Sequence, residues 1–414
     1  MLKTQYFYAN LHTNLRLIFY PNIGGSRKAV LQYVCVAINS SVTVYNFLKS
    51  GEMALWTSTV NDGLQLPKDF LTELNHDYKT LGSFDLDYAQ FCKKYSIVPC
   101  PYFTSGFITP LRGICRLSNV EIDIWSWRAM LLSIAAIGYN IAELSFHNLT
   151  LTPQHIIELS QALDKIGKIE VLKLNYIRLI SEDGAASAFK PIFSSTCGFD
   201  YLSLCGNKIT DNFVVENSAL ILHNVAIHAL NLNENLLSDV GASELLRTLR
   251  HNISLRYLSL KRNHCSGSCL EILPSIICGS QATAEDESLS KLLVKATADY
   301  SKKIKEINKK KKKLNLPEID ESGFSHHEKR IHKGEKGSPG YVVNLSLSYL
   351  DFSGNPIRDI YVAQAISTIH AKIHQISSAT ERSNLKLKLL GVGDEETQIR
   401  LRELILPDGI AIEA

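Results

Sequence analysis

Leu230-Asn231-Leu232-Asn233-Glu234-Asn235-Leu236-Leu237-Ser238-Asp239-Val240-Gly241-Ala242 is followed by Leu258-Ser259-Leu260-Lys261-Arg262-Asn263-His264-Cys265, displaced by 28 residues. With Ile227 and Leu255 ahead of them, both stretches obey the pattern L-x-x-L-x-L-x-x-N-x-L. The same pattern, complete or partial, recurs at Ile141/Leu144/Phe146/Leu151, Ile169/Leu172/Leu174/Leu179, Phe199/Leu202/Leu204/Asn207/Ile209 and Leu347/Leu350/Phe352/Asn355/Ile357. From Phe146 the third apolar position advances to Leu174, Leu204, Leu232 and Leu260 in steps of 28, 30, 28 and 28 residues. Self-similarity at such a period signals stacked units, each too small to bury its apolar edge alone. Between the signatures, Pro153 to Leu163, Ala242 to Leu249 and Val362 to Ile369 carry helical periodicity. Each unit therefore reads as one short parallel strand followed by a helix.

Asn207, Asn235, Asn263 and Asn355 fall where the chain must bend inward after the strand. A carboxamide can both donate to and accept from backbone groups that the bend would bury unpaired. Leu149 and Ile177 hold that position in the first two units, whose turns should be less regular. The unit that starts at Leu230 and runs through Asp239-Val240-Gly241-Ala242-Ser243-Glu244-Leu245-Leu246 resembles a ribonuclease-inhibitor-type leucine-rich repeat. Gly241, and Gly184 in Asp183-Gly184-Ala185, would release the chain from the turn into the helix. The resemblance covers about 141–278 and 343–370. It implies an α/β leucine-rich-repeat solenoid, with short parallel strands on the concave side and helices on the convex side.

Four regions follow. Residues 1–110 carry no repeat and read as an N-terminal α/β cap: strand-like stretches at Leu15 to Phe19 and Val30 to Phe47, then helix patterns at Leu66 to Thr80 and Asp87 to Tyr95. Residues 111–278 hold the repeats, beginning with a degenerate unit at Cys115, Leu117 and Ile122 followed by a helix from Trp125. The step from Leu260 to Phe352 is 92 residues, one period plus 64, so 279–342 is an insertion expected to leave the solenoid. Its first half puts Leu289, Leu292, Leu293, Ala296, Tyr300, Ile304 and Ile307 on one helical face and runs into Lys309, Lys310, Lys311, Lys312 and Lys313. Its second half, Leu316 to Gly340, is rich in Pro, Gly, His and charge and is expected to be partly disordered. Residues 343–414 hold the last repeat and a C-terminal cap closed by a strand at Leu385-x-Leu387-x-Leu389.

The chain has 414 residues, 45% apolar and 21% charged, and a formal charge of +3. Residues 291–336 contain 14 Lys and Arg against 7 Asp and Glu, a net of +7, which leaves −4 for the rest. Lysines at the end of a helix are commonly a solvated tip; the functional alternative is capture of a polyanion such as an acidic tubulin tail. No aromatic residue interleaves the five lysines, which argues against stacking on single-stranded nucleic acid. Nine cysteines, scattered and odd in number, read as free thiols in a reducing compartment. No leader-like start and no span of about 20 apolar residues is present, so no membrane is expected. His326, His327 and His332 imitate the end of a zinc finger without a Cys pair at the needed spacing, and no phosphate loop or nucleophile motif occurs. Neither a metal, a cofactor nor catalysis is expected.

If the apolar strand positions point inward, the intervening ones face out. Tyr201, Tyr257 and Tyr349 then share one column, flanked by Asn231, Asn233, Lys261 and Asp351. Tyrosine combines large contact area with a polar tip, so these seven residues form the expected strip for a protein partner, with Lys309 to Lys313 as a basic patch. The expected function is a non-enzymatic scaffold. A lysine-rich insertion in a short array of this type resembles ciliary leucine-rich-repeat proteins of the axoneme, which implies tubulin or axonemal partners in the cytoplasm, cilium or flagellum. Ran GTPase-activating proteins, built on the same repeat type, supply the alternative of a small-GTPase regulator; the mostly apolar ending from Leu404 to Ala414 departs from their acidic tail.

Overall fold

A short strand with an apolar residue at every second position is stable only if its neighbours cover both its edges and its apolar face. The structure, a computed structural model, describes residues 17–19, 33–38, 41–47, 53–59, 70–76, 78–95, 97, 99–104, 108–109, 113–137, 141–179, 184–194, 198–313, 315, 318–319, 331–332, 341–342, 344, 346–373, 385–389, 399 and 410–413. Strands β1 (Leu17–Phe19), β2 (Tyr33–Ile38), β3 (Ser41–Phe47) and β4 (Met53–Thr59) pair in order as an antiparallel sheet. The helices α1 (Phe70–Asn75), α2 (Phe84–Lys94) and α3 (Pro101–Thr104) follow. From there strands and helices alternate: β5 (Ile108–Thr109), β6 (Ile114–Ser118), α4 (Ile124–Ile137), β7 (Glu143–His147), β8 (Thr150–Leu151), α5 (Pro153–Ile166), β9 (Lys168–Asn175), β10 (Arg178–Leu179), α6 (Ala185–Ser194), β11 (Gly198–Ser203), α7 (Asp211–His223), β12 (Ala229–Asn231), α8 (Asp239–Leu249) and β13 (Tyr257–Ser259). A 3₁₀ turn (Ser268–Ile272) and α9 (Leu273–Ile277) lead into β14 (Ser280–Gln281), α10 (Ala284–Lys313), β15 (Ile331–His332) and β16 (Tyr341–Val342). The chain closes with β17 (Tyr349–Asp351), α11 (Asp359–Ile373), β18 (Leu385–Lys388) and β19 (Ile410–Glu413).

Among the described residues, β6, β7, β9, β11, β12, β13, β17, β18 and β19 form one parallel sheet of nine strands in sequence order, with β5 added antiparallel at one edge. The helices between the strands pack on one another in the same order, and α2 extends their row beyond α4. The space between the two layers is filled by Leu144, Phe146, Leu172, Leu174, Leu202, Leu204, Leu230, Leu232, Leu258 and Leu260, all buried. Trp127 closes one end of that core, ring against Phe146, with its Nε1 donating to the His155 carbonyl at 3.1 Å. Beside it, burial pushes the Glu73 carboxyl up, but bonds from Tyr78, Tyr95 and Lys94 outweigh this and hold it down to about 2. The sheet gains β19, a strand the sequence reading left as a packed terminal segment; Ile410-Ala411-Ile412-Glu413 is too short to show a period.

The bend after each strand is built one way throughout. One residue there adopts a left-handed conformation, at Asn119, Asn148, Tyr176, Gly206, Glu234, Arg262 and Gly354, with φ between 51° and 70°. Its amide donates to a carbonyl of the next unit, as Glu234 N does to Lys261 O at 2.9 Å. The asparagines then join neighbouring bends. Asn235 Oδ1 accepts from Asn207 N and Ile209 N at 2.9 and 3.0 Å, while its Nδ2 donates to Leu204 O and Leu232 O. Asn263 and Asn355 repeat the arrangement. Leu149 and Ile177 lack the carboxamide, and their bends close instead by parallel pairing of β8 with β10.

At the other end of the strands lies a ladder the sequence reading missed. Asn224, Asn252 and Asn344 each accept from two amides of their own turn and donate to the preceding unit, as Asn252 Nδ2 does to Ile221 O at 2.8 Å and Asn224 O at 3.0 Å. Asp211 and Asp239 form a third. Asp211 accepts from Ser238 N, Ser238 Oγ and Gly241 N, and a Cβ on Gly241 would stand 2.4 Å from its Oδ1. Gly241 is thus required by this close approach.

The insertion was expected to stand clear of the sheet, and its first half does not. Its two ends are clasped where Ser280 pairs with Val342. Thr283 and Asp286 exchange hydrogen bonds at the start of α10, and Asp286 also meets Arg250 and His251 at 3.5 and 3.4 Å. The helix then runs back along the ends of the strands. Tyr300, Ile304 and Ile307 pack with Ala226. Tyr300 Oη occupies the place a side chain would take at Gly198, and Ile307 the place at Gly167. Its buried face holds Leu293, whereas Leu292 is 56% exposed, a rotation from the expected face imposed by this seat. The segment Leu316 to Gly340 falls largely outside the described residues.

Two outcomes check this account. Asn235→Ala strands the amides of Asn207 and Ile209 and should lower stability by about 2–4 kcal/mol in urea denaturation. Gly198→Val should lift α10 from its seat: hydrogen exchange rises across α10 while β12 and β13 remain protected.

Candidate functional site

Alternate residues of the short strands project from the sheet on the side away from the helices, and the register sets them in columns. One column runs Glu143, Val171, Tyr201, Ala229, Tyr257, Tyr349 and Lys386. The next runs Ser145, Lys173, Ser203, Asn231, Ser259, Asp351 and Lys388. Neighbouring strands lie about 4.8 Å apart, so a short side chain between longer ones is shaded. Ser203, Ser259 and Asp351 are accordingly buried. Asp351, expected to face a partner, instead accepts from Ser353 N at 2.9 Å.

The polar centre of the face is bonded to itself. Asn231 Nδ2 donates to Tyr201 Oη at 3.0 Å and Ser203 Oγ at 3.1 Å, and its Oδ1 accepts from Asn233 N. Asn233 Oδ1 accepts from Ser259 Oγ and Lys261 N, as Asn175 Oδ1 does from Ser203 Oγ and Cys205 N. Asn231 and Asn233 therefore hold the face in shape. Tyr257 and Tyr349, 92 residues apart in sequence, stand on adjacent strands with rings stacked at 4.5 Å and 9°. Tyr201 is separated from them by Ala229, so the expected column is a stacked pair and an outlier. Burial pushes both hydroxyls of the pair up, leaving them as neutral donors.

Ion pairs flank this centre. Glu143 is shared by Lys173 at 3.1 Å and Arg116 at 3.4 Å. Burial pushes its carboxyl up, but the bonds from Lys173 and Arg116 outweigh burial and hold it below the usual range. At the far end Glu413 sits between Lys386 and Lys388 at 2.8 and 3.6 Å. Lys261 is half-buried beside Glu234.

A second row along the rim was not read from the sequence. Tyr176, Glu234 and Arg262 occupy left-handed positions, where a residue with Cβ is held at a cost of roughly 1 kcal/mol. Tyr176 reaches across Gly206, whose missing Cβ would lie 2.3 Å from its ring, and donates to Glu234 Oε2 at 2.5 Å. Arg262 pairs with Glu234 at 3.0 Å. The steps from Gly206 to Glu234 to Arg262, 28 residues each, were the available signal.

The lysine run ends α10 at another edge of the molecule. Lys309, Lys310, Lys312 and Lys313 are exposed. Lys311 is half-buried: burial pulls its ammonium down, Glu170 opposes this and Lys168 adds to it.

Among the described residues, no group of three or more His, Cys, Asp and Glu side chains could hold a metal ion. His326 and His327 lie outside them. Cys265 and Cys269 are buried, and Cys265 Sγ packs on the Leu237 and Ser238 carbonyls. No helix among the described residues is long and apolar enough to cross a membrane. No protein-family model matches the chain, and no curated protein matches it significantly.

Because the Glu143 carboxyl is held below its unfolded value, its bonds stabilise the fold above the ordinary carboxylate range, and that contribution is lost as pH falls through the folded value. The stability gap between the native chain and Glu143→Gln, read from denaturation midpoints, should be full at neutral pH and close on acidification.

Proposed function

We propose that this chain is a non-enzymatic protein-interaction scaffold, a leucine-rich-repeat solenoid of the ribonuclease-inhibitor type that holds a polypeptide partner against its strand face. The observation that carries this reading is the stacked Tyr257–Tyr349 pair at the centre of that face. The ladders of Asn and Asp side chains satisfy the turns without it, and the apolar core lies behind the sheet. A rigid aromatic shelf with hydroxyl tips, bordered by charged groups, is the surface that anchors a partner through a few strong contacts. The ordered polar network around Asn231 and Asn233 keeps the shelf preorganised, which lowers the entropic cost of binding. The resemblance to axonemal leucine-rich-repeat proteins directs the reading toward partners of the ciliary or flagellar cytoskeleton.

Affinity purification from extracts of ciliated cells, with partners quantified by mass spectrometry, tests it. Tyr257→Ala combined with Tyr349→Ala should keep the fold and weaken capture of direct partners by roughly tenfold or more. Full retention of every partner by the double variant, or acceleration of GTP hydrolysis by the native chain, would overturn the reading.

A further inference from the structure

The cationic half of α10 is explained neither by the strand face nor by the packing of the helix. Residues 300–313 contain eight lysines and one acid, Glu306. Lysines in a last turn complement the helix dipole, but that effect fades beyond the terminal turn. Lys302 and Lys305 lie well before it. Steps of three, four and three residues put Lys302, Lys305, Lys309 and Lys312 on one stripe, and all four are exposed. The opposite face is fixed to the sheet by Tyr300, Ile304 and Ile307. The lysines therefore stand on a rigid ridge rather than a loose tip. Nearby acids are few: Glu306, Glu170 and Asp164.

We propose that this ridge binds an acidic polypeptide segment, laid extended along the stripe from Lys302 to Lys312. The stripe is about 15 Å long at 1.5 Å per residue. An extended peptide presents a side chain on one side about every 6.7 Å, so three alternating carboxylates fit its length. The chemistry favours carboxylates over nucleic acid. Every cation of α10 is a lysine, a point charge without the planar fork that arginine offers to phosphates. The sole aromatic residue of α10, Tyr300, is buried and offers no stacking surface. The like-charge crowding of Lys311 and Lys168, only partly offset by Glu170, is relieved by a bound polyanion. This site is independent of the strand face and goes beyond the scaffold reading.

The test is fluorescence anisotropy of a labelled oligoglutamate peptide titrated with the intact chain at low and at physiological salt. Saturable binding that weakens with salt is expected. The combined variant Lys302→Gln, Lys305→Gln, Lys309→Gln and Lys312→Gln should bind about tenfold more weakly with an unchanged thermal midpoint, since all four side chains are exposed. Tyr257→Ala with Tyr349→Ala should bind the peptide as the native chain does, which separates this site from the strand face. No binding at low salt, an affinity insensitive to the lysine changes, or tighter lysine-dependent binding of a single-stranded RNA of equal charge would overturn the proposal.

Discussion

Everything in this molecule depends on how a buried bend is kept from stranding its backbone. Each strand ends in a turn that points amides and carbonyls into the interior, where an unpaired group costs about 1–3 kcal/mol. Water cannot reach them, and the next strand begins too soon for a helix or sheet to absorb them all. Side-chain amides of Asn207, Asn235, Asn263 and Asn355 take that task, each bridging its own turn and the one before. Asn224, Asn252 and Asn344 do the same at the opposite end of the strands. The leucines fill the space between the layers, but the two rows of carboxamides set the distance and register at which the layers stack.

That division of labour leaves the strand face at liberty. Its side chains neither close turns nor fill the core, except for the small ones shaded between larger neighbours. It can carry a stacked tyrosine pair, ion pairs at both flanks and a rim of Tyr176, Glu234 and Arg262 held in left-handed turns. Glycine would meet the backbone requirement at those rim positions with less strain, as Gly206 and Gly354 do in the same column.

The legible part of the structure was whatever recurs. A fixed spacing of leucines located the parallel strands, and alternation within each strand picked out the side that carries Tyr257 and Tyr349. Asn224, Asn252 and Asn344 keep the same interval, yet escaped notice because they lie outside the leucine pattern. Asp351 could not be recognised as buried, because shading depends on the sizes of side chains on adjacent strands. The placement of α10 was the least legible. Its helical period announced an apolar face but not what covers it, and the answer lies in Gly167 and Gly198, far upstream, whose missing side chains make room for Ile307 and Tyr300. A single sequence carries no mark of such a pairing.

A stack in which each layer meets only its neighbours unravels from its ends, one layer at a time. α10 touches Arg250 and His251 at one extremity and Gly167 toward the other, with Ala226 and Gly198 between. It joins layers that otherwise have no contact. For the stretch from β9 to β13 the helix acts as a splint, so local opening of one layer must also break its seat on the others. The insertion thereby converts the middle of a nearest-neighbour array into a single cooperative block, while the layers beyond β17 and before β7 remain free to fray.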